Sequence, residues 1–315
     1  LGVLTKAFPK DAIREVLSET GKESVRERLL PSHVVVYYVL ALSLFMHVSC
    51  REVLRCLLEG LEWLMFPGVT VTVAGKSGIS QARTRLGEAP LKALHDKLVG
   101  PVARPETPGA WYRRWRTVSL DGSTLDVPDT AANAEAFGRP SASRGNAAFP
   151  KLRFASLVEC GTHVLFRSRQ GPYRTSENEL AEEVIDGLTK GMLCLADRLF
   201  FSFHLWKKAK ATGADLLWRV KTNVRFPCRR RLPDGSYLST VYPTEKDRRH
   251  DTNGEDVRVI EYRLQGVPDA EPIYRLVTTI LDHLEAPAHE LAALYHERWE
   301  IETAFDEFKT HLRGA

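Results

Sequence analysis

Apolar positions in the first third of the chain recur every three to four residues, the period of a helix with one buried face. The spacing predicts helices over "KDAIREVLSETG" with its Gly stop, over Pro31 to Met46, and over "SCREVLRCLLEGLEWL". Ser49 and Glu52 open the third of these as a capping box. "KSGISQARTRLG" and "PLKALHDKLVG" continue the pattern. From Trp111 the period shortens. "RTVSLDGSTLDVP" reads as a strand, a turn at Asp121-Gly122 and a second strand, and "KLRFASLVEC" and "THVLFRSRQG" as two strands joined by a tight turn at Gly161.

Helix and strand then alternate. Ser176 caps a helix to Leu188, with Glu179 at the capping-box position. "GMLCLADRLF" is a short apolar strand ending on Asp197, "SFHLWKKAKATG" a helix, and "ADLLWRVK" a buried strand. Three antiparallel strands followed by this alternation predict a mixed α/β sheet. Residues 223–285 are polar, turn-rich and basic, with strands in "VRVIEYRLQ" and "IYRLVTTIL", and read as a β-rich insertion; a last helix starts near Pro287. The expected division is a helical domain over 1–105, a core over 106–222, the insertion over 223–285, and a final core helix over 286–315. No internal repeat or low-complexity tract interrupts it.

Composition changes this picture little. The chain of 315 residues is 43% hydrophobic and 27% charged, ordinary for a globular protein. Its net charge of +4 permits a nucleic acid partner without requiring one. Cys50, Cys56, Cys160, Cys194 and Cys228 are scattered and form no C-x-x-C pair, so neither a disulfide framework nor a zinc site is expected and a reducing cytoplasm fits. The most apolar run, Val34 to Met46, is too short for a bilayer-spanning helix of about 20 residues and is expected to be buried in protein. No signal peptide opens the chain, which starts at Leu and stops at Ala315 in mid-pattern, as a fragment or trimmed product would.

The candidate chemistry starts from "YHERWEIETAFDEFK". At about 100° per residue, Tyr295, Arg298, Glu302 and Lys309 fall within an arc of roughly 60°. The apolar Leu294, Ile301, Phe305, Phe308 and Leu312 lie beside that arc. The plain explanation is an Arg298–Glu302 pair at i,i+4 on an amphipathic helix. The alternative needs partners for Glu302. Asp121 and Asp197 each follow an apolar β run. Carboxylates from neighbouring strand ends and an adjacent helix can converge into an oxygen cage for Mg²⁺.

Strand-Asp-Gly, strand-Asp-Arg and then Y-x(2)-R-x(3)-E-x(6)-K together resemble the DDE transposases of bacterial insertion sequences, in the insertion-sequence-four branch with the Y-R-E-K signature. The resemblance covers roughly residues 20 to 312. It implies a ribonuclease-H-like catalytic domain with a β-rich subdomain inserted before the Glu, preceded here by the all-helical N-terminal domain. It implies that Asp121, Asp197 and Glu302 hold two Mg²⁺ or Mn²⁺ ions, that DNA is cut at transposon ends, and that the freed 3′-OH attacks target DNA. Arg298 and Lys309 would contact phosphate, and Tyr295 would donate to the same backbone. The implied partners are double-stranded transposon ends and target DNA, bound by a homodimer, with no membrane and a cytoplasmic, nucleoid-associated setting.

Other residues take their meaning from this context. Lys76, Arg83 and Arg85 make the fourth helical segment basic, as in a helix-turn-helix reader or a solvated helix face. Arg229, Arg230 and Arg231, with "KDRRH", are solvated loops that become backbone contacts in a DNA enzyme. Asp126 and Asp129 are expected to be structural, Glu179 and Glu182 to lie on an exposed helix, and His163 and His204 show no metal spacing. Relatives that form hairpin ends stack a base on a Trp in the inserted domain; residues 223–285 hold no Trp, and only Tyr237 and Tyr242 are there to substitute. Trp218 is expected in the core. The rival functions are a truncated or inactive DNA-binding remnant that regulates transposition, and a stand-alone nuclease, which the insertion and the basic N-terminal helices disfavour.

Overall fold

The computed structural model describes residues 2–25, 30–45, 47–65, 73–142, 145–146, 148–264, 271–297, 305–307 and 309. Two compact units emerge, Leu1–Val99 with Asp306–Ala315, and Gly100–Phe305. The first contains α1 (Gly2–Ala7), α2 (Lys10–Glu19), α3 (Ser32–Leu44), α4 (Cys50–Met65), α5 (Lys76–Leu86) and α6 (Ala89–Leu98). α3 is apolar on all sides, so it is the helix the others surround. It buries Val35, Val36, Tyr37, Tyr38 and Ala41 against α2, α4 and α5. The two tyrosines avoid the cost of a buried hydroxyl by donating to backbone carbonyls, Tyr37 to Phe8 at 2.7 Å and Tyr38 to Cys50 at 3.0 Å. α5 buries Ile79, Ala82 and Leu86 and leaves Lys76, Arg83 and Arg85 exposed.

The second unit is built on one sheet. Its elements run β1 (Trp111–Tyr112), β2 (Trp115–Asp126), α7 (Ala131–Phe137), β3 (Ser141–Ala142), β4 (Gly145–Asn146), β5 (Lys151–Glu159), β6 (Leu165–Pro172), α8 (Glu177–Val184) and a 3₁₀ turn at Ile185–Gly187. There follow β7 (Met192–Ala196), α9 (Phe203–Ala211), β8 (Asp215–Arg219), β9 (Arg230–Arg231), β10 (Tyr237–Val241), α10 (Glu245–His250), β11 (Glu255–Tyr262), β12 (Tyr274–Thr278) and α11 (Ala288–Glu297). The order across the sheet is β6-β5-β2-β7-β8-β12-β11-β10-β9, with β1 paired to β2. β5 and β6 are antiparallel to their neighbours, whereas β2, β7 and β8 run parallel. This is the mixed α/β sheet that the sequence pattern predicts.

One expectation needs correcting. Asp121-Gly122 is not a turn: β2 runs unbroken to Asp126, because β5 pairs with it in register from Val118↔Glu159 to Asp126↔Lys151. Continuous cross-strand pairing overrides the local turn preference of an Asp-Gly dipeptide. β12 pairs antiparallel with β8, so β9 to β12 lengthen the same sheet. The tight turn at Gly161 does form, at φ 78°, and a Cβ there would sit 2.2 Å from the Pro108 carbonyl oxygen.

Helices cover both faces of the central strands, which explains their uninterrupted apolar sequence. On one face Trp115, Leu193, Leu195 and Leu217 pack with Leu291 and Tyr295 of α11. On the other, Trp206 of α9 meets Trp218 of β8 edge-on, with ring centres 5.3 Å apart.

Two buried charges pin loops to this sheet. Glu159 accepts from the Val102 and Ala103 amides at 2.8 and 2.9 Å, from Thr162, and from Arg116. Arg258 is fully buried; it donates to Ser236 at 2.8 Å, to the Ala286 carbonyl at 2.7 Å and to Asp234 at 2.6 Å. Asp234 also accepts from the Ala288 amide at 2.9 Å, at the first residue of α11. Thus the turn before β10 anchors the start of α11. Burial opposes both carboxylate charges, but Thr162 and the two amides hold the Glu159 carboxyl below its usual range, and Ser236 and the Ala288 amide do the same for Asp234.

Asp234→Ala should therefore leave Arg258 buried without its counter-charge and cost about 3–5 kcal/mol, read from urea unfolding. A carboxyl whose folded pKa is depressed stabilises above its unfolded value, about 4, and loses that contribution as pH falls through the folded value. Unfolding free energy should accordingly decline below about pH 4, and less steeply in Asp234→Asn.

Candidate active site

The register of the parallel strands builds the site. β2 and β7 pair from Arg116↔Met192 to Leu120↔Ala196, and β7 and β8 from Leu193↔Asp215 to Ala196↔Trp218. One residue further along each strand stand Asp121, Asp197 and Arg219. They form a row across neighbouring strands that lie about 4.8 Å apart. Side chains alternate along a strand, and Trp115, Leu195 and Leu217 all pack toward α11. An even number of steps carries Asp121, Asp197 and Arg219 to that same face. The row lies at the carboxyl ends of β7 and β8, where open α/β sheets bind ligands.

Local sequence explains why these carboxylates are presented. β7 is wholly buried up to Ala196, and the chain then turns, with the Phe200 amide donating to the Asp197 carbonyl at 3.0 Å. Phe200 plugs back into the core and Ser202 caps α9. Asp197 is left half-buried at the bend. Asp121 is half-buried and accepts the Gly122 amide on its own Oδ1 at 2.8 Å. Gly122 faces the other way, toward α8. A Cβ built there would lie 3.0 Å from Cγ of Glu177 and 3.1 Å from the Phe154 carbonyl oxygen, so a side chain on that face of the strand needs its neighbours to give by a few tenths of an ångström.

Asp197 has two neighbours that the sequence did not single out by role or at all. The Tyr295 hydroxyl donates weakly to the Ala196 carbonyl at 3.4 Å and to Asp197 Oδ1 at 3.5 Å. Tyr295 is buried, only 5% exposed. Arg219 lies 3.8 Å from the same Asp197 oxygen and pairs with Glu271 at 2.7 Å. Arg198 pairs with Glu271 at 2.8 Å, and the Arg219 guanidinium covers the Tyr274 ring at 4.8 Å. Burial works against the Arg219 charge, but pairing with Glu271 outweighs it and holds the guanidinium above its usual value. Arg219, followed by Arg198, holds the Glu271 carboxyl low. An arginine closing the apolar run "DLLW" was the available signal for Arg219; Glu271 offered none, since its approach depends on the β12–β8 pairing.

The remaining candidates are placed as follows. Arg298 and Glu302 lie outside the described residues. Lys309 is half-buried. Arg230 and Arg231 are exposed on β9, and Arg229 pairs with Asp251 at 2.6 Å and donates to Tyr242 at 2.5 Å. Tyr237 is half-buried with its hydroxyl 3.4 Å from Glu261. Asp126 pairs with Lys151 and Asp129 with Arg139, as structural residues would. Trp218 is in the core. Among the described residues no helix is long and apolar enough to cross a membrane, and no three His, Cys, Asp or Glu side chains converge on a metal position. The two aspartates alone supply oxygen donors from adjacent strands, a donor chemistry that suits a hard divalent cation.

Comparison with known proteins agrees with this architecture. The family described as insertion element 4 transposase N-terminal matches residues 1–96, and the family described as transposase DDE domain matches residues 115–315. The chain is similar to the transposase InsG for insertion sequence element IS4 of Escherichia coli (strain K12), with 27% identity over 306 residues, 96% of this chain and 67% of that protein. It is also similar to the putative transposase InsZ of the same organism, with 24% identity over 212 residues, 67% of this chain and 68% of that one.

Gly122→Val should lose about 1–3 kcal/mol of unfolding free energy through overpacking. Glu177→Ala in the same chain should restore part of the loss, since it removes one of the two groups the new side chain meets.

Proposed function

The chain belongs to the DDE transposase family, matched over residues 115–315, and on that premise we propose the reaction and the residues that carry it. It acts on double-stranded DNA, cutting at the ends of its element and joining the freed 3′-OH to a target by phosphoryl transfer. The observation that carries this reading is the row of Asp121 and Asp197 at matching positions of two parallel strands, on the face covered by α11. Glu302, seven residues after Tyr295, supplies the third carboxylate.

Asp121, Asp197 and Glu302 would hold Mg²⁺ or Mn²⁺, two ions in the full site, through oxygen donors only. When bound, such ions activate a water or a 3′-OH and stabilise the leaving oxygen. The protein's own part is to hold the carboxylates together against their mutual repulsion. Arg298 and Lys309 bind phosphate near the cut, the former through a fork that matches two phosphate oxygens. The exposed Lys76, Arg83 and Arg85 on α5, and Arg229, Arg230 and Arg231 at the sheet edge, hold the duplex by its backbone.

The finer architecture follows from the same premise. The sheet from β2 to β8 is the ribonuclease-H-like core, residues 223–285 are an insertion built onto its edge, and residues 1–105 form the helical DNA-binding domain. A homodimer assembles on paired ends, in the cytoplasm on nucleoid DNA. The Tyr237 hydroxyl lies by Glu261, and the Tyr242 hydroxyl by Arg229 and Asp251.

Labelled DNA carrying the element's ends should be nicked in the presence of Mg²⁺ or Mn²⁺, and Glu302→Ala should lower nicking at least 1,000-fold, roughly 4 kcal/mol of transition-state stabilisation. DNA binding without nicking by the unaltered protein would instead support a binding regulator.

A further inference from the structure

We propose that Arg198 and Arg219 form a binding site for a DNA phosphate beside Asp197, and that Glu271 fills this site as an exchangeable counter-ion until DNA enters. The proposal rests on the reading of the chain as an enzyme that cuts and joins DNA. Arg219 continues the row of Asp121 and Asp197 one strand further, at the end of β8. Arg198 follows Asp197 at the bend after β7. Glu271 comes from the next strand over, just before β12. Two guanidiniums from separate elements therefore converge on one point, on the side of Asp197 away from Asp121.

Glu271 marks that point. Its Oε1 lies 2.8 Å from Nη1 of Arg198, and its Oε2 lies 2.7 Å from Nη2 of Arg219. One anionic group with an oxygen on each of two guanidinium forks is also how a phosphodiester is held. A phosphodiester carries the same single charge as the carboxylate, so the exchange leaves neither arginine without a counter-charge. Glu271 is the member able to leave. Its side chain is 36% exposed and that of Arg198 is 42% exposed, so the cluster opens to solvent on their side, whereas Arg219 is only 16% exposed. A released Glu271 regains water, while the more enclosed Arg219 needs an anion at its fork. The contact being exchanged is also imperfect. Despite the 2.7 Å approach, Nη2 of Arg219 is buried and makes no directed hydrogen bond among the described residues. Two further supports of Arg219 stay in place when the carboxylate moves off, the Tyr274 ring at 4.8 Å and Asp197 Oδ1 at 3.8 Å.

The test uses the full chain and fluorophore-labelled DNA carrying the element's ends, in EDTA so that no metal contributes. Affinity is read by anisotropy across a salt series for the unaltered protein, Glu271→Gln, Arg198→Ala and Glu261→Gln. The last is a control, an acid of the same sheet paired with Arg275 at 2.7 Å. Glu271→Gln removes the competing charge and should bind about 10-fold tighter, with Glu261→Gln within about twofold of the unaltered protein. Arg198→Ala should bind about 5-fold more weakly, with a salt slope shallower by about 1. Equal or weaker binding by Glu271→Gln would overturn the proposal and make Glu271 a fixed support of the arginines. An equal gain in Glu261→Gln would also overturn it, since any lost negative charge would then serve. Should Glu271→Gln fail to fold, Arg198→Ala decides alone, and an unchanged affinity and slope there rejects the phosphate site. Metal-dependent nicking of the same DNA by the unaltered protein separates the two levels. If it nicks while Glu271→Gln gains nothing, only the proposal fails. If it neither binds nor nicks the DNA, the reading of the chain as a DNA-cutting enzyme fails and the proposal falls with it.

Discussion

The in-register parallel pairing of β2 with β7, and of β7 with β8, is the constraint on which the site depends. A shift of one residue would turn either aspartate to the opposite face of the sheet, because side chains alternate with a period of two. The register is held by the buried residues below it. Trp115, Leu193, Leu195 and Leu217 must face α11, and Trp218 must face α9. Hydrophobic burial deep in the sheet therefore decides where two carboxylates stand at its rim.

The segment between Asp197 and Glu302 has a structural part in this arrangement. β12 adds to β8, and β9, β10 and β11 follow, so the sheet continues through the basic region. Buried Arg258 and Asp234 then tie the turn before β10 to the first amide of α11. A buried ion pair gives little net stability over apolar packing, but it is unforgiving of losing one partner. Here it fixes where α11 begins, and hence where Tyr295 meets Asp197. Glu271, from the same segment, sets Arg219 beside that aspartate. The segment thus reaches the site through the Glu271 side chain, which lies just before β12.

Much of this was readable from residue pattern. The helical period before residue 100, the apolar strand ending at Asp197 and the capping box at Ser176 are local features, and the structure contains each of them. Asp121 was identified for a reason that fails: the strand does not end there. What ends is the partner β7, and partner length is invisible along a single chain. The pattern put Tyr295 at the edge of the apolar stripe, whereas it is buried with its hydroxyl turned inward. A tyrosine is amphipathic, so helical angle alone cannot say which end faces solvent. Arg219 and Glu271 meet across 52 positions of sequence through β8 and β12, a long-range contact that periodicity does not encode.

The most direct measurement is anomalous X-ray diffraction from crystals of the protein soaked in Mn²⁺. The account predicts a manganese peak between the Asp121 and Asp197 side chains, with carboxylate oxygens of both at about 2.2 Å, on the face that α11 covers. A peak bound to only one of these aspartates, or manganese held elsewhere while their carboxylates stay apart, would contradict it.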